Sequence, residues 1–235
     1  MIESLLKKLP NNKPAIIHSD FLVFGKKIIL YKDKIKYLFE KHFKNGLFMP
    51  NFTFEREKII NFDKKLPITK GGLANLFIKN KKIPRTINPI HSYLYFNIKV
   101  KNNKSFTDRS FGNGSIFDYF VRNNMNWINF GPSNNNSWTI FHHVETLCNV
   151  SYRKKIKFNR TIIHKNKKKK ISYNYFERRS SNIKPNFDLA VKEMINDKIL
   201  TRINSYDKNI IFGNCKQIVD YCIIKMKKNE KYLIK

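Results

Sequence analysis

The stretch Thr139-Ile140-Phe141-His142-His143-Val144-Glu145 has the clearest capacity for chemistry in this chain. It reads as a helix start, with Thr139 of a type that caps helices, and a spacing of three puts His142 and Glu145 on one face while Ile140, Val144 and Leu147 fall elsewhere. In a first helical turn the dipole disfavours imidazolium, so the His142 ring is expected to be neutral near pH 7, as a general base must be. The alternative reading is that His142 caps or packs. His143 points to another side and reads as structural. Glu177 closes the run Tyr173-Asn174-Tyr175-Phe176 and could accept the other ring proton of His142, with Arg178-Arg179 offering a competing surface pair. Asp63, ahead of Pro67 and Gly71-Gly72, reads as a loop carboxylate, either a turn former or a partner for a cationic substrate.

Three further segments read as strand ends that can wall a pocket around that helix start. They are Ile17-His18-Ser19-Asp20 with Phe24-Gly25, Met49-Pro50-Asn51-Phe52-Thr53, and Arg85 through Ser92. The last, RTINPIHS, sets a cation, a proline and a hydroxyl in a non-periodic run that a plain core strand would not use. Cys148, Cys215 and Cys222 are odd in number and lack metal-site spacing, so reduced, packed thiols and no metal are expected. A Cys148/His142 nucleophile is the sharper alternative.

These residues need a scaffold, and 235 residues suit a single domain spanning 1–235. Hydrophobic residues at 41% and aromatics at 14% supply a core despite a net charge of +30. That charge comes from 47 basic against 17 acidic residues and would attract a polyanion. Lysine is nevertheless spread along the chain with abundant Asn and Ile, and only Lys167 to Lys170 forms a run, read as a solvated hairpin tip. Nucleic acid is therefore not the expected partner, although a polyanion-binding protein stands as the alternative function. No apolar run approaches the ~20 residues that cross a bilayer, so no membrane association and a cytoplasmic location are expected.

Strands and helices alternate. Strands are expected at Ala15 to His18, Gly46 to Pro50, Tyr93 to Val100 and Asn126 to Phe130, with helical spacing over Ile35 to Phe43 and a helix-like stretch opened by Gly71-Gly72. After residue 150 come strand-like runs at Ile156 to Phe158, Thr161 to His164 and Ile171 to Phe176. Two elements close the chain, Phe187 to Ile195 and a helix from Cys215 to Met226 that Asn214 can cap. The fold class is α/β: a central mixed sheet flanked by helices, plus a β-rich section after residue 150.

Taken together, HSD with FG, MPNFTF, FDKKLP with GG, RTINPIHS, FGNGS and TIFHHVE resemble the aminoglycoside 3-N-acetyltransferase family over roughly residues 15 to 180. The resemblance implies acetyl transfer from acetyl-CoA, a co-substrate, to a small-molecule amine acceptor, without a metal. It implies His142 as base, Glu145 as its helix companion and Asp63 near the substrate amine. Ser19, Asp20, Phe21, Arg85, Asn88, His91 and Ser92 would lie along the CoA. The sequence departs from the family pattern at Asn88, where a His is usual, and at Trp138, where an Asn is usual. Asn88 cannot titrate, so cofactor contacts there are expected to differ. A CoA-binding member without activity is the corresponding alternative, and the implied acceptor is an aminoglycoside-like compound or an amino sugar on a nucleotide or glycan precursor.

Overall fold

The computed structural model describes residues 2–19, 31–53, 61–63, 73–74, 77, 83–100, 106–130, 137–164, 167–205 and 208–235. In chain order the elements are α1 (Ile2–Leu6), β1 (Ala15–Ser19), α2 (Lys32–His42), β2 (Leu47–Phe52), β3 (Asn61–Asp63), β4 (His91–Phe96), α3 (Ile116–Arg122), β5 (Asn126–Phe130), α4 (Ile140–Leu147), β6 (Arg153–His164), β7 (Lys167–Arg178), α5 (Phe187–Asn196), β8 (Leu200–Ser205), β9 (Lys208–Asn214) and α6 (Cys215–Lys228). Among the described residues no helix is long and apolar enough to cross a membrane.

Six strands form the central sheet in the order β4-β2-β1-β5-β9-β8. β1 runs parallel to both β2 and β5, while β4, β9 and β8 continue the sheet antiparallel on either side. Strands buried on both faces read as continuous apolar runs rather than alternations, which is what Ala15-Ile16-Ile17 and Leu47-Phe48-Met49 present. Side-chain alternation then sorts them into two layers. Ile16, Phe48, Tyr93, Trp127 and Ile211 face a layer built from α3, α4, α5 and α6. Ala15, Ile17, Met49, Leu94 and Ile128 face α1, α2 and the helical Leu73, Ala74 and Phe77. A second sheet, β3-β6-β7, carries the long hairpin whose strands pair from Arg153↔Arg178 to His164↔Lys167.

The chain leaves β1 for β2 on one side and returns as β5 on the other. β1 is therefore a topological switch point, and the carboxyl ends of β2, β1 and β5 bound the crevice where open α/β sheets take their ligands.

The α/β class, the mixed sheet and the flanking helices agree with expectation, and Asn214 caps α6 by accepting from the Lys216 and Gln217 amides. Several details differ. The strands expected at Ile156 to Phe158 and Thr161 to His164 are one, since β6 runs unbroken from Arg153 to His164. Arg160 lays its guanidinium over the Phe158 ring at 4.3 Å and so occupies an inward position without breaking the strand. β4 stops at Phe96 rather than continuing to Val100, because Asn97 turns to a φ of 56° and donates its amide to the Glu40 and Phe43 carbonyls. Asp63 ends a strand, not a loop, opposite Ile163 of β6. α3 was not expected, and β8 and β9 join the central sheet, not the β-rich section.

The start of β8 packs this closely on β9 only because Gly213 is small. A Cβ there would lie 2.5 Å from a Leu200 methyl and 2.8 Å from the Ile199 carbonyl oxygen, which cannot give way. Gly213→Ala should lower stability by about 1–3 kcal/mol in chemical denaturation, the usual scale of overpacking; an unchanged midpoint would show that β8 and β9 are free to part.

Candidate active site

The site begins at α4. Trp138, fully buried and stacked on Phe141 at 5.4 Å, anchors the turn that opens the helix. Thr139 does not cap it, contrary to expectation. Its backbone is already helical, and the first turn closes instead through the Trp138 and Thr139 carbonyls, which accept from the Phe141 and His142 amides. The FGNGS segment wraps over this turn. Gly112 and Gly114 take φ values of +82° and +78°, which lets the Gly112 amide donate to His143 Nδ1 at 3.0 Å. His143 is thus the structural histidine expected: it is buried, accepts that bond and has its pKa lowered by burial to about 4.

The same wrapping sets Phe111 at 5.6 Å from His142, with the Phe187 ring at 5.3 Å on another side. His142 Nδ1 lies 2.7 Å from Glu145 Oε2, and Arg153 Nη2 lies 2.7 Å from that same oxygen. Arg153 Nη2 also lies 3.0 Å from His142 Nδ1, so a carboxylate and a guanidinium both face that ring nitrogen. An ionised carboxylate only accepts, and the shorter contact to Glu145 is the one that assigns the proton to Nδ1 and the lone pair to Nε2; the other tautomer would instead accept from Arg153 at Nδ1. Tyr152 donates to Glu145 Oε1 at 3.1 Å, so both oxygens of this carboxylate, which has 0% exposure, are satisfied. Burial alone would raise the Glu145 pKa, but His142 and Arg153 outweigh it and hold the carboxyl below its ordinary value.

Burial lowers the pKa of His142, Glu145 opposes the shift, and Arg153 and Arg178 add to it; the net direction is down. The ring is neutral at pH 7 as expected, but desolvation, not the helix dipole, is the main cause. Its side chain keeps 25% exposure, against 6% for His18, 2% for His91 and 1% for His143. Of these four histidines, only His142 presents its ring to solvent.

The strand ends contribute a different chemistry. His18 stacks on Trp127 at 4.4 Å, and burial drives its pKa down to about 3. Among the described residues, its Nε2, the Ser19 hydroxyl, both amide atoms of Asn51, Asn129 Oδ1 and the Thr139 hydroxyl are buried without hydrogen-bond partners. Rings connect this region to the helix: His18 with Phe52 at 5.9 Å, Phe52 with His91 at 4.8 Å, and His91 with Phe111 at 4.9 Å.

RTINPIHS proves to be a bracing segment. Arg85 Nε donates to the Ser92 hydroxyl at 2.9 Å, and both Arg85 and Ser92 donate to the Asn51 carbonyl, tying the segment to the end of β2. Asn88 does not offer a hydrogen-bonding group to a cofactor. Its Oδ1 accepts from the Ile90 and His91 amides and from the Tyr173 hydroxyl, and its Nδ2 donates to the Phe106 and Arg109 carbonyls, which exhausts the side chain. His91 Nδ1 is hydrogen-bonded to Ser110, and Ser110 in turn to Tyr173. Glu177 does not supply the carboxylate on His142 Nδ1. Glu145 does, while Glu177 lies half-exposed at 3.9 Å from Lys154 across the hairpin.

Asp20 and Phe21 lie outside the described residues, as does the Gly71-Gly72 helix start. The three cysteines are free, and burial raises the Cys148 thiol pKa, which works against the thiolate that a nucleophile needs. Among the described residues no group of His, Cys, Asp or Glu could hold a metal ion. Arg153 and Tyr152 were missed in the sequence. The signal was a carboxylate on a helix otherwise rich in buried residues, which calls for a nearby cation, and Tyr152-Arg153 follow it by seven and eight positions.

The model of the family described as aminoglycoside 3-N-acetyltransferase matches residues 45–227. No curated protein sequence matches the chain. Solved structures similar to it include the YokD protein from Bacillus subtilis, at 16% identity and a TM-score of 0.70, covering 96% of each chain. AAC-IIIb in a binary complex with CoASH matches at 14% identity and a TM-score of 0.77, over 97% of this chain and 95% of that one. A histidine-to-alanine mutant of aminoglycoside acetyltransferase AAC(3)-IVa in complex with gentamicin matches at 14% identity and a TM-score of 0.74, over 98% and 87%.

The ion pair between Arg153 and Glu145 makes a prediction of its own. Arg153→Met strips a buried carboxylate of its permanent cation and should cost about 3–5 kcal/mol at neutral pH. Because the Glu145 pKa is depressed in the fold, this contribution is present above the ordinary carboxylate range and lost as pH falls through the folded value. The gap between wild type and variant in denaturant midpoint should therefore narrow on acidification; a gap independent of pH would contradict the charge pairing.

Proposed function

The chain belongs to the aminoglycoside 3-N-acetyltransferase family, and from that premise we propose that it transfers acetyl from acetyl-CoA directly to a primary amine of an amino sugar or aminoglycoside-like acceptor, with His142 as general base. The observation that carries this reading is the part-exposed His142 ring with Nδ1 against a buried, doubly supported Glu145. With Nδ1 paired to that carboxylate the lone pair is on Nε2, and desolvation keeps the imidazole neutral at working pH.

The buried polar atoms at the carboxyl ends of β1, β2 and β5 suit a long, polar, amide-bearing cofactor chain. His18, Ser19, Asn51, Asn129 and Thr139 are the residues that would hold it. Arg85, Ser92 and His91 act there by bracing the β2–β4 edge. The group would supply an activated thioester. The acceptor ammonium first loses one proton to water; His142 takes the second as the amine nitrogen bonds to the acetyl carbonyl carbon, the C–S bond breaks and CoA leaves as thiolate. Glu145 fixes the tautomer and stabilises the imidazolium that forms, and Arg153 and Tyr152 keep Glu145 ionised and oriented. Asp63, at the end of β3 beside β6, is the carboxylate proposed near the reacting ammonium. Residues 1–235 form one functional unit in this reading.

His142→Ala should lower kcat/KM by about 10²–10⁴-fold while leaving CoA affinity within a few-fold of wild type. Thiol release and CoA calorimetry check the two halves separately, and wild-type turnover in the variant would refute the base. Since the His142 pKa lies below its ordinary value of 6.5, the acidic limb of the pH profile of kcat/KM attributable to this group should lie below pH 6.5.

A further inference from the structure

The acceptor side of this site has an unusual charge. The β6–β7 hairpin roots in the site through Arg153 on Glu145 and Tyr173 on Ser110 and Asn88. Its two strands, RKKIKFNRTIIH and KKKKISYNYFER, hold ten Lys and Arg residues and one acidic residue, Glu177, a bias well beyond the 47 to 17 of the whole chain. Lys155, Lys157 and Lys167 to Lys170 are exposed and in no ion pair among the described residues.

Among the described residues, four carboxylates around the site are engaged, which leaves Asp63 as the one proposed above for the reacting ammonium. Glu145 is held by His142 and Arg153, Asp108 by Arg109 at 2.8 Å, Asp118 by Arg122 at 2.8 Å and by the Gly114 amide, and Glu177 by Lys154. A polycationic aminoglycoside needs several carboxylates around its ammonium groups. Here it would meet Arg153 and Arg178 beside His142, a cationic hairpin and a molecule of net charge +30.

Resting on the acetyltransferase reading above, we infer that the acceptor of this chain is an anionic amine, an amino sugar bearing phosphate or a comparable negative group, and not a polycation. Lys155 and Lys157 alternate onto one face of β6, about 7 and 14 Å along the strand from Arg153 at roughly 3.4 Å per residue. That span suits a phosphate carried on a sugar or nucleotide whose amine lies at His142. With a Debye length of about 8 Å at physiological salt, these charges steer and hold such a group, and salt weakens them.

The test compares kcat/KM for glucosamine 6-phosphate and UDP-glucosamine with glucosamine and gentamicin, with acetyl-CoA, at low and high salt. The inference expects the phosphorylated amines to exceed glucosamine by about tenfold or more at low salt and to lose that advantage as salt rises. The double variant Lys155→Glu with Lys157→Glu, of wild-type melting temperature, should lower kcat/KM about tenfold for the phosphorylated amines and leave glucosamine nearly unchanged. Higher kcat/KM for gentamicin than for either phosphorylated amine would overturn the inference and leave the acetyltransferase reading standing, as would equal values for glucosamine and its phosphate at every salt concentration. Failure of all four amines to release thiol would instead overturn the acetyltransferase reading and this inference with it.

Discussion

A carboxylate with no solvent exposure governs this structure. Glu145 lies inside α4, where burial alone would favour its neutral form, and it stays ionised because three donors reach it: the His142 ring, the Arg153 guanidinium and the Tyr152 hydroxyl. Each donor comes with a structural commitment. His142 must lie one turn earlier on the same helix face, and the chain after α4 must return so that Arg153 at the root of β6 reaches Glu145. Arg153 also donates to the Phe176 carbonyl, so the charge that neutralises Glu145 fastens β7 as well. The fastening of the hairpin and the charge beside His142 follow from one interaction.

The central sheet supplies the other half of the site. Placing β1 between parallel β2 and β5 makes their carboxyl ends diverge, and the residues there are not the apolar ones that fill the strands elsewhere. His18, Ser19, Asn51 and Asn129 carry buried polar atoms with no partner, a cost that a purely structural strand end would not retain. RTINPIHS has the opposite character. It spends its polar groups within the protein, with Arg85 and Ser92 on the Asn51 carbonyl and Asn88 on five partners, and so stiffens the wall that the unpartnered groups line.

The sequence announced what depends on short-range patterning. Buried runs marked β1, β2 and β5, amphipathic spacing marked α2 and α6, and i,i+3 spacing paired His142 with Glu145. It concealed what depends on long-range pairing. β9 carries a glycine, and it reads as a strand only once Trp127 and Leu200 are known to flank it. α3 is short and its apolar residues follow a glycine-rich turn, so Ser115 as its cap becomes evident only from the bond it accepts from the Asp118 amide. Glu177 was the carboxylate the sequence offered to His142, and Arg153 was not foreseen. In the fold Arg153 reaches Glu145 on α4 while Glu177 lies against Lys154.

The account centres on a neutral His142 with its proton on Nδ1 and its lone pair on Nε2. The most direct test is nitrogen-15 NMR of the histidine side chains through a pH titration, with His142 assigned by its loss in His142→Ala. A protonated Nδ1, an unprotonated Nε2 at pH 7 and a titration midpoint below 6.5 are the predicted result. A proton on Nε2 at pH 7, or a midpoint above 7, would contradict the claim that Glu145 prepares this ring as a base.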